Sequence, residues 1–221
     1  MIYTGSDERS PLVRVAVFYD GSFFMAVSNY YRYVHGRKAN ITFTGFQEFV
    51  RHKVSEKEQR DVAFCQVVES HFFRGRFSLT AAKAANALES DRFLDQLLMW
   101  AGIVSHYYPM NETKTPPEEQ GIDVWLALEA YDLAVHKPFD VLVLFAGDQD
   151  FVPLARKVNG IGTRVMLIAM DSHWKDTTGK DHTIRTSQAL IEEASYPIML
   201  NQEVDSRTAK GDRIIDGLFQ K

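Results

Sequence analysis

The 221-residue chain contains a single cysteine, Cys65. An intramolecular disulfide and a thiolate metal cage are therefore excluded, and a reducing compartment is expected. No stretch approaches the ~18 consecutive apolar residues of a membrane helix. The opening Met-Ile-Tyr-Thr-Gly-Ser-Asp-Glu has neither the basic nor the apolar region of a secretory signal. A soluble, cytoplasmic protein is the expectation. Positive charge is not in excess either: 25 Lys and Arg face 29 Asp and Glu, a formal net charge of -4. Any surface for an anionic partner must be local. The seven histidines lack zinc-ligand spacing, and no nucleophile elbow marks a Ser/His/Asp enzyme. Gly160-Ile161-Gly162-Thr163 closes a helix rather than opening one, which argues against a dinucleotide fingerprint. No segment repeats.

What is present is the composition of one globular domain, 45% hydrophobic and 12% aromatic. Residues 13–18 form a short run rich in β-branched side chains, as expected of a strand buried on both faces. Helical character follows at 22–34 and 45–58, with both helices expected on one side of a sheet. A strand is expected at 61–68, one long helix at 79–100, a strand at 103–109 and a polar loop at 111–121. Further on, the pattern predicts a helix at 122–135, the most apolar strand at 141–146, a helix closed by Gly160, and a strand at 164–170. A polar loop at 171–183, a helix at 187–194 and a short strand at 198–200 complete the series. Alternating strands and helices imply an α/β fold whose parallel sheet is covered on both faces. The division expected is an arm at 1–12, a domain at 13–200 and a weakly helical tail at 201–221.

In such sheets the working residues gather beyond the carboxyl ends of the strands. The first strand delivers Asp20 there, and the strand at 141–146 delivers Asp148 and Asp150. Asp123 opens the helix at 122–135; a helical wheel gives the solvated stripe to Trp125, Glu129, Asp132 and His136 and sets Asp123 on the side of Ala127, Ala130 and Ala134. Each acid taken singly is explained by capping, since Asp accepts the orphan N–H groups of a helix start. Taken together, three or four carboxylates at adjacent strand ends would raise one another's pKa unless a cation neutralised them, which favours metal binding.

Three blocks carry a resemblance. Tyr19-Asp20-Gly21-Ser22, the stretch from Gly121-Ile122-Asp123-Val124-Trp125 to Glu129, and Ala146-Gly147-Asp148-Gln149-Asp150-Phe151-Val152-Pro153-Leu154 resemble the signature blocks of NYN domains, nuclease domains of the PIN-like group. The LabA-like branch is the most similar. The resemblance spans roughly 13–200 and implies a Rossmann-like, three-layer α/β/α fold. It also implies hydrolysis of RNA phosphodiesters with Mg²⁺ or Mn²⁺ held by Asp20, Asp123 and Asp148, and with Asp150 as a supporting catalytic acid. Three positions depart from the pattern: Phe23 where the first block commonly has Asn, Gln120 where a Lys often precedes the second block, and Ser195 where an Asp is common.

Substrate contacts are expected from local clusters of basic and aromatic residues. Arg32, Arg37 and Lys38 follow the first acid among Tyr30, Tyr31, Tyr33 and His35, while Arg74 and Arg76 follow the second strand. Such residues stack bases and pair phosphates of single-stranded RNA; as an alternative they are packing residues and ordinary surface. His173, Trp174, Lys175, Lys180 and His182 are candidates for a lid, or for a solvated loop. Two functions stay open, a metal-dependent endoribonuclease and a nuclease-like module that binds RNA or assembles, including with itself, without hydrolysis. A phosphatase using Asp20 as nucleophile lacks companion motifs.

Overall fold

The computed structural model describes residues 12–206 and 212–220. Most of the expected arm at 1–12 lies outside the described residues. β1 (Val13–Asp20) is one of the two central strands of a six-stranded sheet in the order β4-β3-β1-β5-β6-β9, every pair parallel. The other five strands are β3 (Cys65–Arg76), β4 (Val104–Pro109), β5 (Val141–Phe145), β6 (Arg164–Ala169) and β9 (Tyr196–Met199).

Strand alternation explains why β1 is apolar from Val15 to Tyr19. Val13, Val15, Val17 and Tyr19 point to one face, where they meet α1 (Gly21–Asn29), α2 (Phe43–Glu58) and α4 (Leu88–Trp100). Ala16 and Phe18 point to the other, under α5 (Ile122–His136), α6 (Val152–Gly160) and α7 (Gln188–Glu193). Both faces of the sheet are thus covered, a three-layer α/β/α arrangement.

The structure differs from expectation where short-range chemistry overrode the hydrophobic pattern. Asp61 caps a 3₁₀ turn at Val62–Phe64, accepting from the Ala63 N–H at 2.8 Å, so β3 starts only at Cys65 and runs on through Arg74 and Arg76. The long helix expected at 79–100 is two, α3 (Leu79–Ala84) and α4, broken where Asn86 adopts a left-handed φ of 52°. The polar loop at 171–183 is a hairpin of β7 (Asp171–Lys175) and β8 (Asp181–Arg185). On α5 the buried stripe is Ile122, Leu126, Ala130 and Ala134, while Trp125 and Glu129 are half-buried and Asp123 lies on the exposed side.

The segment expected as a tail is also structured. α8 (Leu200–Ser206) and α9 (Arg213–Gly217) bury Leu200, Val204 and Ile215 in the core beneath α2. β10 (Phe219–Gln220) then pairs antiparallel with β2 (Asn40–Ile41), and the Thr42 N–H donates to the Leu218 carbonyl at 3.0 Å.

Candidate active site

Two neighbouring strands aim acids at the same rim. β1 and β5 pair up to Tyr19 and Phe145, so Asp20 and the Gly147-Asp148 turn emerge side by side. Asp20 is the N-cap of α1, its Oδ1 accepting from the N–H groups of Ser22 (3.0 Å) and Phe23 (3.2 Å). The next position must be glycine, because a Cβ at Gly21 would lie 2.5 Å from the Phe73 carbonyl oxygen on β3. Asp148 caps the 3₁₀ turn Gln149–Phe151 through Oδ1 to the Asp150 N–H at 2.9 Å. Capping therefore engages one oxygen of each of these two aspartates.

Asp123 behaves differently. α5 starts at Gly121, whose φ is 85°, and no side chain caps it. Asp123 sits in its first turn, and among the described residues its carboxylate accepts no hydrogen bond from the helix start, so capping does not account for it. The surrounding chain desolvates Asp123, and the charges of Asp148, Glu119 and Asp150 add to that, raising its pKa.

Glu119 is the acid that sequence reading missed. It lies in the loop before α5, where composition shows only polarity. Its Oε1 accepts from the Gly75 N–H at 2.7 Å and its Oε2 from the Ser22 hydroxyl, tying the ends of β3 and β1 to the α5 loop. The approach depends on glycine, since a Cβ on Gly75 would come 2.5 Å from Glu119 Cγ. Asp20 feels the result: burial pushes its pKa up to about 7, the Phe23 N–H opposes the rise, and the charges of Asp123 and Glu119 add to it. Asp20, Glu119, Asp123, Asp148 and Asp150 thus share one electrostatic neighbourhood.

The donor chemistry suits a hard divalent cation, which takes oxygen ligands and is commonly held by one or two carboxylates with waters completing the shell. It is not a closed cage: among the described residues no three His, Cys, Asp or Glu side chains converge tightly enough to hold an ion by themselves.

The three departures have distinct surroundings. Phe23 meets Phe145 edge-on at 5.6 Å and fills the space over Gly147, where a Cβ would lie 2.5 Å from its ring. Gln120 accepts from the Asn111 amide at 3.3 Å. Ser195 serves the fold, donating to Asn159 Oδ1 at 2.7 Å and accepting from the Val165 N–H at 3.3 Å.

Four of the five expected RNA contacts are engaged within the chain. Arg37 pairs with Asp216 at 2.9 Å and covers the Phe219 ring; Lys38 donates to the carbonyls of Tyr33 (2.9 Å) and Val34 (3.4 Å). Arg74 faces Asp91 at 3.8 Å, and Arg76 pairs with Asp95 at 2.7 Å while lying over Tyr107. Arg32, over the Tyr33 ring at 5.0 Å, has no ion pair among the described residues. The hairpin at 171–185 is likewise internally bonded, His182 to Asp176 at 2.8 Å and His173 to Asp181 at 3.1 Å, and Trp174 leans on Tyr30.

The sequence profile of the NYN domain family matches residues 14–201, most of the chain. The chain belongs to the NYN domain family. NYN domains are generally ribonuclease-like, so membership supports a nuclease-like fold for this NYN domain. No curated protein matches the sequence. A crystal structure of a Vibrio parahaemolyticus protein of unknown function superposes with a TM-score of 0.55 at 17% identity, covering 87% of this chain and 96% of that one. The likeness supports the fold of this NYN domain. No helix among its described residues is long and apolar enough to cross a membrane.

Proposed function

We propose that this chain is a metal-dependent endoribonuclease of the LabA-like branch, acting on single-stranded RNA in the cytoplasm. One observation carries the reading: carboxylates from three separate segments share a rim, where burial raises the pKa of Asp20 and Asp123 and the charges of the neighbouring acids add to the rise. Such repulsion is costly for the fold and is relieved by a divalent cation. Asp20, Asp123 and Asp148 would hold Mg²⁺ or Mn²⁺, with Asp150 supporting. A cation bound there supplies a water of lowered pKa and offsets charge on the phosphate oxygens. Glu119, fastened to Gly75 and Ser22, orients the start of α1 and keeps Asp20 in place.

A second reading has a specific observation behind it. Phe23 puts an apolar ring over Gly147 where the family pattern has an amide, removing a polar contact beside Asp148. On that reading the domain binds RNA, or assembles with itself, without hydrolysis.

Incubation of end-labelled single-stranded RNA with the protein in Mn²⁺, Mg²⁺ or EDTA tests both. A nuclease cleaves in either metal and stops in EDTA. Asp148→Asn, which keeps the capping oxygen, should lose at least about 10²-fold in rate, corresponding to ~3 kcal/mol of barrier, while RNA affinity in EDTA stays level. Wild-type protein that cleaves no RNA in either metal, yet binds it, establishes the second reading.

A further inference from the structure

We infer that the groove between α1 and α4 is a stacking channel for the bases of single-stranded RNA, an inference that rests on the nuclease reading for its substrate. The groove holds about 550 Å³ and is lined by Phe24, Met25, Arg32, Phe93, Leu97 and Trp100, with hydroxyls and amides of Ser28, Asn40, Thr42, Thr44 and Ser90 between the apolar surfaces. That volume lies in the range of specific ligand sites. Exposed aromatic rings with short polar groups beside them suit the bases and backbone of a nucleic-acid strand better than they suit a purely apolar partner.

The exposed rings are the first argument. Phe93 is 59% and Trp100 72% exposed, although both are large and apolar. They stand seven residues apart on α4, two turns or about 10 Å along its axis. That spacing is on the order of three stacking steps of ~3.4 Å, so each ring can take a base of the same strand.

Charge is the second argument. Arg32 is the groove's one charged lining residue, and no carboxylate neutralises it among the described residues. The other arginines considered for RNA contact, Arg37, Arg74 and Arg76, are paired with Asp216, Asp91 and Asp95. The third argument is the rim itself, whose carboxylates repel phosphates. Affinity for the strand must therefore come from contacts remote from the scissile bond, and remote binding energy is what positions a substrate. α1 links the two sites physically: Asp20 caps it and Met25 stands five residues on, about 8 Å along the axis.

The test measures binding in EDTA, so that it does not depend on cleavage. A fluorescein-labelled oligo(U) 12-mer and an RNA duplex of the same length are titrated against wild type, Phe93→Ala, Trp100→Ala and Arg32→Ala. Both aromatic sites are exposed, and thermal melts verify that these variants remain folded. The single strand should bind more tightly than the duplex, each aromatic loss should weaken it roughly 5- to 100-fold, and Arg32→Ala should flatten the log–log salt slope by about 0.7. With Trp125 and Trp174 changed to Phe, the fluorescence of Trp100 should be quenched on binding. Equal affinity for the duplex, unchanged affinity in both aromatic variants, or a dimer in sedimentation that Trp100→Ala dissolves would overturn the channel, the last by giving the groove to a second copy of the chain. Mn²⁺-dependent cleavage with an unaltered KM in Trp100→Ala also overturns it while the nuclease reading survives. Trp100-dependent binding without cleavage upholds the channel and fails the nuclease reading.

Discussion

In the proposed nuclease, Asp20 carries two duties that pull its proton in opposite directions. As the cap of α1 it is served by either an ionised or a neutral carboxyl, because the acceptor Oδ1 is available in both. As a metal ligand it must be ionised, yet burial and the charges of Asp123 and Glu119 hold its pKa at about 7. Between about pH 4 and pH 7 the folded protein therefore keeps a proton that the unfolded chain gives up, so stability falls as pH rises through that window. Asp20→Asn removes the titration and keeps the cap. The variant should be more stable than wild type at pH 8 by about 2 kcal/mol and near parity at pH 4, as read from chemical denaturation in EDTA. Cation binding must expel the same proton, so Mn²⁺ affinity of the wild type should climb steeply up to about pH 7 and flatten above it, checked by calorimetry in buffers of differing ionisation enthalpy.

At the scale of elements, the site depends on how closely α1 can approach β3. Gly21→Ala sets a Cβ against the Phe73 carbonyl and the Phe72 ring, neither of which is the free end of a flexible chain. It should cost about 1–3 kcal/mol in urea unfolding, and it should impair RNA cleavage beyond the loss of folded protein because Asp20 shifts with the helix start. The central strands β1 and β5 and the aspartates beyond their ends were legible in the sequence, because strand burial on both faces leaves an unbroken apolar run and Asp20 and Asp148 follow such runs. Glu119 was not, since its place is fixed by contacts with Gly75 and Ser22, 44 and 97 residues away in the chain. The pairing of Arg37 was equally hidden, because Asp216 lies on α9, in a segment whose few apolar residues show no period until Ile215 and Leu218 are seen buried. The break at Asn86 is a backbone event in an alanine-rich stretch that favours helix on propensity alone.

For the whole molecule, the proposed metal site makes stability depend on divalent cations. At a cation concentration 100 times the dissociation constant, unfolding should cost ~2.7 kcal/mol more than in EDTA, seen as a higher Tm with Mn²⁺. Asp123→Asn should abolish most of that gain while raising the Tm measured without metal. The sheet order has a different consequence, for the way the chain is made. β1 is synthesised before the other five strands of this sheet, yet it lies between β3, which begins at Cys65, and β5, which begins at Val141. Until those arrive, Val13, Val15, Ala16, Val17, Phe18 and Tyr19 have no sheet to enter, and Arg14 is the one charge among them. Such a window is prone to pair with its counterpart on another nascent or refolding chain. Dilution from denaturant should accordingly give soluble protein at low concentration and light-scattering aggregates at micromolar concentration, with Arg14→Ala lowering the threshold, so that a chaperone able to hold an extended apolar strand becomes part of how this domain reaches its fold.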